Sequence, residues 1–142
     1  MGLRRQAREW ALQFLFQRDV NRGPLDPALE LFWADKTGHH RARAYAETLI
    51  RGVEHHRVEL DKLISRYAEH WDVKRMGGVD RNVMRIGLYE MTGDQPVPPV
   101  VAIDEAVEIA KQYSSNESGR FVNGILDRAR QDVCPSPKEI TS

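Results

Sequence analysis

The first 22 residues carry Arg4, Arg5, Arg8, Arg18 and Arg22 against only Glu9 and Asp19, a local excess of three positive charges. A guanidinium meets a phosphate as a planar fork, and an exposed aromatic ring offers a stacking surface to an unpaired base. At about 100° per residue, Arg5, Arg8, Leu12 and Phe16 fall within about 80° of one another, away from the main apolar face. That pattern suits contact with single-stranded nucleic acid. It equally describes a solvated basic face with Leu12 and Phe16 packed under a neighbouring helix. A second polar strip, Arg81, Arg85 and Tyr89 at i, i+4, i+8 with Asn82 beside it, has the residue types enriched at protein interfaces. Ion pairs from Arg85 to carboxylates of adjacent helices are the alternative use of that strip.

Other chemistry is sparse. His39-His40 and His55-His56 are adjacent pairs whose side chains diverge by about 100° on a helix, and no HExxH pattern occurs. The histidines therefore read as solvated and not as metal ligands. Asp104, Glu105 and Glu108 fall on the outer face of an amphipathic helix, where carboxylates are ordinarily solvated. Cys134 stands alone in a Pro-rich tail, giving neither a disulfide nor a CxxC site. P-loop, GxGxxG and GxSxG patterns are absent. These observations predict a protein that is not an enzyme and needs no cofactor or metal.

The elements that must position these residues are all helical. Leu3, Ala7, Trp10, Ala11, Phe14 and Leu15 follow helical spacing across residues 3–20, and Asn21-Arg22-Gly23-Pro24 stops them. Asp26-Pro27 predicts a second helix with Asp26 as its cap. A long apolar periodicity from His40 to Tyr67 has room for a break near Gly52 or His55-His56. Gly77-Gly78 interrupts the chain again. Val79 to Met91 is then apolar on two sides, which predicts a central helix. Pro98-Pro99 leads into a helix bearing Ile103, Ala106, Val107, Ala110 and Tyr113. Ser114-x-x-Glu117 has capping-box spacing before a last helix with Phe121, Val122, Ile125, Leu126 and Ala129 inward. Gly124 inside that helix predicts the close approach of another helix. The expected architecture is an all-α bundle of about seven helices in one domain over 1–134. Its helical halves run about 1–76 and 77–134, and a flexible tail spans 135–142.

With 142 residues, 41% apolar and 30% charged types, the chain has the composition of a globular protein with a core of its own. Its 21 basic residues balance 21 acidic ones, which counts against binding nucleic acid by bulk charge while leaving room for a local basic face. No stretch reaches the roughly 20 apolar residues of a membrane span, and the first residues lack the apolar segment of a secretory signal. A soluble, cytoplasmic protein is expected, with no membrane partner.

Three stretches taken together resemble the NusB family of transcription antitermination factors. They are RRQARE with ALQ after it, VDRNVMRIGLYEM from Val79 to Met91, and the pair VAIDEAVEIAKQYS and RFVNGILD. Their order and spacing across nearly the whole chain make the set specific. The resemblance implies an all-helical protein that binds the boxA element of ribosomal RNA leader transcripts. It does so with NusE, a small-subunit ribosomal protein, within an RNA polymerase antitermination complex that includes other Nus factors. It further implies that Arg4, Arg5 and Arg8 contact phosphate, with Phe16 where the family often has Tyr. Glu117, Arg120 and Phe121 would form the other RNA-facing edge, and Asp80, Arg85, Tyr89 and Glu90 would face NusE. Where the family often has a basic residue before the VAI run, Pro98-Pro99-Val100-Val101 is apolar. The same domain also occurs fused to ribosomal RNA cytosine methyltransferases, and the length here favours the free-standing factor. A helical module that docks a protein or a second copy through exposed Phe16 or Leu12, without direct RNA contact, is the alternative.

Overall fold

A computed structural model describes residues 2–69, 71–94 and 96–133. Seven α-helices and one short 3₁₀ helix account for most of them, and no strand occurs among the described residues. The helices are α1 (Leu3–Val20), α2 (Leu25–Trp33), α3 (His40–His55), α4 (Arg57–Tyr67), α5 (Gly78–Thr92), α6 (Pro99–Tyr113) and α7 (Asn116–Val133), with the 3₁₀ turn at Val73–Arg75. The long periodicity from His40 divides at His56, one of the places where a break was expected. Cys134 and the 135–142 tail lie outside the described residues.

One contiguous core runs through the molecule. Helix α5 is its axis: every residue from Asn82 to Leu88 is buried, with Glu90 and Met91 beyond them. It packs against α1, α3, α4, α6 and α7. Fully buried Ala7 and Ala11 on α1, with Ala42 and Ala46 on α3, give these two helices little side-chain bulk to separate them. Ala102, Ala106 and Ala110 are equally buried on α6, where it lies along α7. An aromatic group closes the α1–α2 side: Trp10 meets Trp33 edge-on at 5.3 Å, and Phe14 meets Phe32 at 5.4 Å.

Several local expectations are corrected by packing. Leu12, placed by its helical angle off the apolar face, is buried, because the core wraps around more of α1 than one stripe. Asp26 does not cap α2: the helix begins at Leu25 after Pro24, and Asp26 sits in the first turn, paired with Arg51 at 2.8 Å. An acidic side chain is stabilising there because the first turn exposes unpaired N–H groups. The S-x-x-E reading at Ser114 shifts by one residue, since Ser115 Oγ accepts the Ser118 N–H at 3.1 Å while Glu117 stays exposed. Gly124 is not a helix crossing: a Cβ there would meet only Arg128 Nη1 at 3.7 Å. The close approach is at Gly87 of α5, where a Cβ would lie 3.2 Å from Leu126 and 3.7 Å from Ala106.

Candidate nucleic-acid and partner interface

The arginine-rich start of α1 meets the carboxyl-terminal end of α5 and the first turns of α6. Arg5 donates Nε and Nη2 to the two carboxylate oxygens of Glu105 at 2.6 and 2.8 Å. Arg8 donates Nε to Glu90 at 2.9 and 3.0 Å and Nη1 to Glu105 at 3.1 Å. Tyr45 donates its hydroxyl to the same Glu90 carboxylate. Arg4, exposed, lies over the Tyr45 ring at 4.2 Å. Burial, the hydrogen bond to Glu90 and its charge push the Tyr45 phenol up to about 12. Burial works against the Arg8 charge, but the hydrogen bond and charge of Glu90, with the charges of Tyr45 and Glu105, together hold the guanidinium above its ordinary value. The hydrogen bond from Arg5 lowers the Glu105 carboxyl below the usual range.

This arrangement separates three arginines that the sequence grouped together. Arg8 is 4% exposed and committed to two carboxylates, so in this arrangement it is an interior strut and is not available to a phosphate. Arg5 is paired at the surface edge, and Arg4 is open. Glu105, expected to be merely solvated, is the anion that neutralises Arg5 and touches Arg8. A cleft of about 910 Å³ opens beside them, lined in part by Arg4, Arg5, Tyr45, Tyr89, Val97 and Pro98.

The polar strip of α5 divides in the same way. Arg85 is buried, clasped in a fork by Asp61 at 2.7 and 2.9 Å, with Asp19 at 3.1 Å and Asn82 at 3.0 Å. Asp19 also accepts from Asn82 at 2.8 Å and Arg81 at 3.0 Å, which ties α1 to α5. Burial opposes the Asp19 charge, but the Asn82 hydrogen bond and the Arg85 and Arg81 charges together keep its carboxyl below the usual range. Arg85 and Glu90, expected to face a partner, are thus turned inward; their charges are matched inside the fold. Tyr89, in contrast, is half-buried and reaches the surface in part. Gly52 makes room for its ring, since a Cβ there would lie 2.1 Å from it, and His56 stacks on it at 6.0 Å. His56 is thereby a packing residue, and among the described residues no group of three His, Cys, Asp or Glu side chains could hold a metal ion.

Asp80 falls at the opposite end of α5, away from Tyr89 and Glu90. By helical rise, nine residues separate Asp80 from Tyr89 by about 14 Å along the axis. Asp80 lines a second cavity of about 340 Å³ with Trp71, Arg75, Glu117, Ser118 and Phe121. Burial pushes its carboxyl above the usual range, although Ser118 offsets part of this by hydrogen bonding. Glu117 and Arg120 are exposed, and Phe121 is half-buried against Trp71, with ring centroids 6.0 Å apart at 73°. Phe16 belongs to this same end: it is 46% exposed and its ring covers Gly78, where a Cβ would lie 2.6 Å from it. Trp71 escaped the sequence reading because an isolated Trp between helices gives no periodic signal.

A bundle with no strand among the described residues, packed around a polar-seamed central helix with a cleft at each end of that helix, defines an all-α helical domain. Residues 5–131 match the family model described as the NusB family, and the chain belongs to that family. The transcription antitermination protein NusB of Desulfosudis oleivorans is 43% identical over 143 residues, covering 99% of this chain and 93% of the relative. The protein of that name from Trichlorobacter lovleyi is 43% identical, covering 98% and 96%. Among solved structures, T. maritima NusB superposes with a TM-score of 0.83 at 42% identity, covering 96% of this chain and 94% of that one. A crystal structure of the antitermination factors NusB and NusE with double-stranded RNA contains a similar chain, with TM-score 0.82, 26% identity and coverage of 92% and 98%. No described helix is long and apolar enough to cross a membrane.

Proposed function

We propose that this protein is a cytoplasmic transcription antitermination factor that binds boxA RNA of ribosomal RNA leader transcripts together with NusE, and that it catalyses no reaction. The observation that carries the reading is the likeness, across 92% of the chain, to a fold solved with NusE and RNA. Arg4 and Arg5 supply phosphate contacts at one end of α5. Phe16, Arg120 and Phe121 supply stacking and charge at the other. Tyr89 and the cleft beside it receive the ribosomal partner. The resulting pair acts within an RNA polymerase complex that contains other Nus factors.

Net neutrality fits a protein whose RNA affinity alone is modest and is completed by a partner. A gel shift with boxA RNA, run with and without NusE and across a salt series, tests this. Binding should strengthen with NusE and weaken as salt rises, because bound arginines release counterions from the strand. No shift with both proteins present overturns the reading. A homodimer is a second use of the surface, favoured by Phe16 at 46% and Val20 at 86% exposure on α1. Sedimentation at micromolar concentration, with and without NusE, distinguishes a dimer that competes with partner binding from a monomer.

A further inference from the structure

The chain balances 21 basic against 21 acidic residues, yet the fold does not distribute its carboxylates evenly. Arg5, Arg8, Arg18, Arg81 and Arg85 each have a carboxylate oxygen within 3.2 Å. Arg4, Arg41 and Arg43 pair with none among the described residues. Arg4 lies over the Tyr45 ring and Arg43 over the Trp33 ring, at 4.2 and 5.1 Å, so aromatic faces position these two guanidiniums without neutralising them. Arg41 is exposed, one turn before Tyr45 on α3. His39 meets Trp10 at 6.3 Å, which sets the start of α3 against α1. Residues 39–43 hold two histidines and two arginines, and α3 has no carboxylate in its first turn. Lys36, just before them, is answered by Asp35 at 3.3 Å. Glu47, the first acidic residue of α3, pairs with none of these cations among the described residues.

At about 100° per residue, Arg41 and Arg43 fall on opposite flanks of this first turn, with exposed His40 between them on the solvent side. Arg41 shares its flank with Tyr45, the ring that Arg4 covers, so the cations run from Arg4 across the end of α3 to Arg43. No large apolar side chain between Phe32 and Arg57 is exposed. A protein partner would therefore find no apolar anchor here, and an unpaired base would find no exposed Phe, Tyr or Trp to stack on. The surface offers uncompensated N–H donors along a line, which suits a sugar-phosphate backbone. We propose that Arg41, His40 and Arg43 form a second backbone-contacting surface, continuing from Arg4, that holds phosphates of the RNA flanking the boxA segment; this rests on the RNA-binding reading above. Contacts of this kind carry no sequence information. They lengthen the footprint and anchor the strand.

The test uses the full chain with NusE, and boxA RNA with and without extra nucleotides at either end. Removing two phosphate contacts with the double variant Arg41→Ala, Arg43→Ala should flatten the slope of log affinity against log salt by about 1.4, at about 0.7 per contact on a single strand. Between about 50 and 200 mM salt the wild type should then lose about 7-fold more affinity than the variant. Arg41→Ala alone, at an exposed position with no packing partner, should give half the change in slope and leaves the Arg43 contact with Trp33 intact. RNA extended at one end should bind the wild type more tightly than boxA alone, whatever the added sequence, and the double variant should lose that gain. An unchanged slope in folded Arg41→Ala and in the double variant overturns the surface, as does a gain from extension that the double variant keeps or that depends on the added sequence. Weaker NusE binding by Arg41→Ala without RNA also overturns it, since the cations would then face a protein. Absence of wild-type RNA binding would instead overturn the functional reading itself.

Discussion

Residue identity alone does not separate Arg5 from Arg8, yet their environments give them different roles. Arg8→Ala would leave the Glu90 carboxylate buried and short of its main counter-charge. The expected loss is about 3–5 kcal/mol, the cost of breaking a buried pair on one side, read as a lower urea midpoint. Arg5→Ala removes a partly exposed pair and should cost no more than about 1 kcal/mol, while lowering RNA affinity. Glu105→Gln separates the two further. It should release Arg5 from a full negative neighbour, tighten RNA binding and steepen its dependence on salt, checked by titrations at several salt concentrations. An unchanged salt dependence in this variant would mean that Arg5 stays out of the RNA contact.

At the scale of elements, helix crossings rather than propensities decide which glycines matter. Gly52 on α3 admits the Tyr89 ring, and a methyl group there would have to push the ring or the helix aside. Gly52→Ala should destabilise by about 1–3 kcal/mol, as overpacking does, and should disturb the surface where Tyr89 stands. Gly124→Ala is its contrast: the site is open, the residue is inside α7, and the gain in helix propensity should stabilise by about 1 kcal/mol. Thermal unfolding of the two variants side by side checks both signs. The sequence made Gly124 conspicuous because it interrupts a periodic helix. It gave no hint that Gly52 accommodates a ring from a helix more than 30 residues away, since that contact exists only after α3 and α5 meet.

Over the whole molecule, the acid response follows from the carboxylates that the seams hold ionised. Asp19 and Glu105 have folded values below their ordinary ones. The stability they contribute is therefore complete above the unfolded range near about pH 4 and is lost as pH falls through their lower folded values. Asp80 has the opposite sign, because burial raises it. Its contribution is present below the unfolded value and is lost as pH rises through the folded one. Asp80→Asn should accordingly raise the melting temperature at pH 7, with the gain shrinking as the pH is lowered; a gain that grows in acid would refute this assignment.

The sequence by itself determined the helices, the central place of α5 and the family resemblance. Each is written in local periodicity, breakers or short motifs, and the 3.6-residue repeat needs no knowledge of what lies across the core. Which polar side chains reach solvent was decided only by the tertiary structure. Arg8 and Arg85 fall off the apolar faces of their helices, and the family resemblance turns Glu90 toward a partner, yet each meets an opposite charge from another helix and is buried with it. The meeting of Phe121 with Trp71 and Asp80 around one cavity is equally invisible in one dimension, because α7 brings Phe121 back to the start of α5 and the segment before it from a distant part of the chain. A local pattern sets the direction of a side chain relative to its own helix. The carboxylate or ring it will face is fixed when the helices pack, and that encounter divides the basic residues into struts and surface contacts.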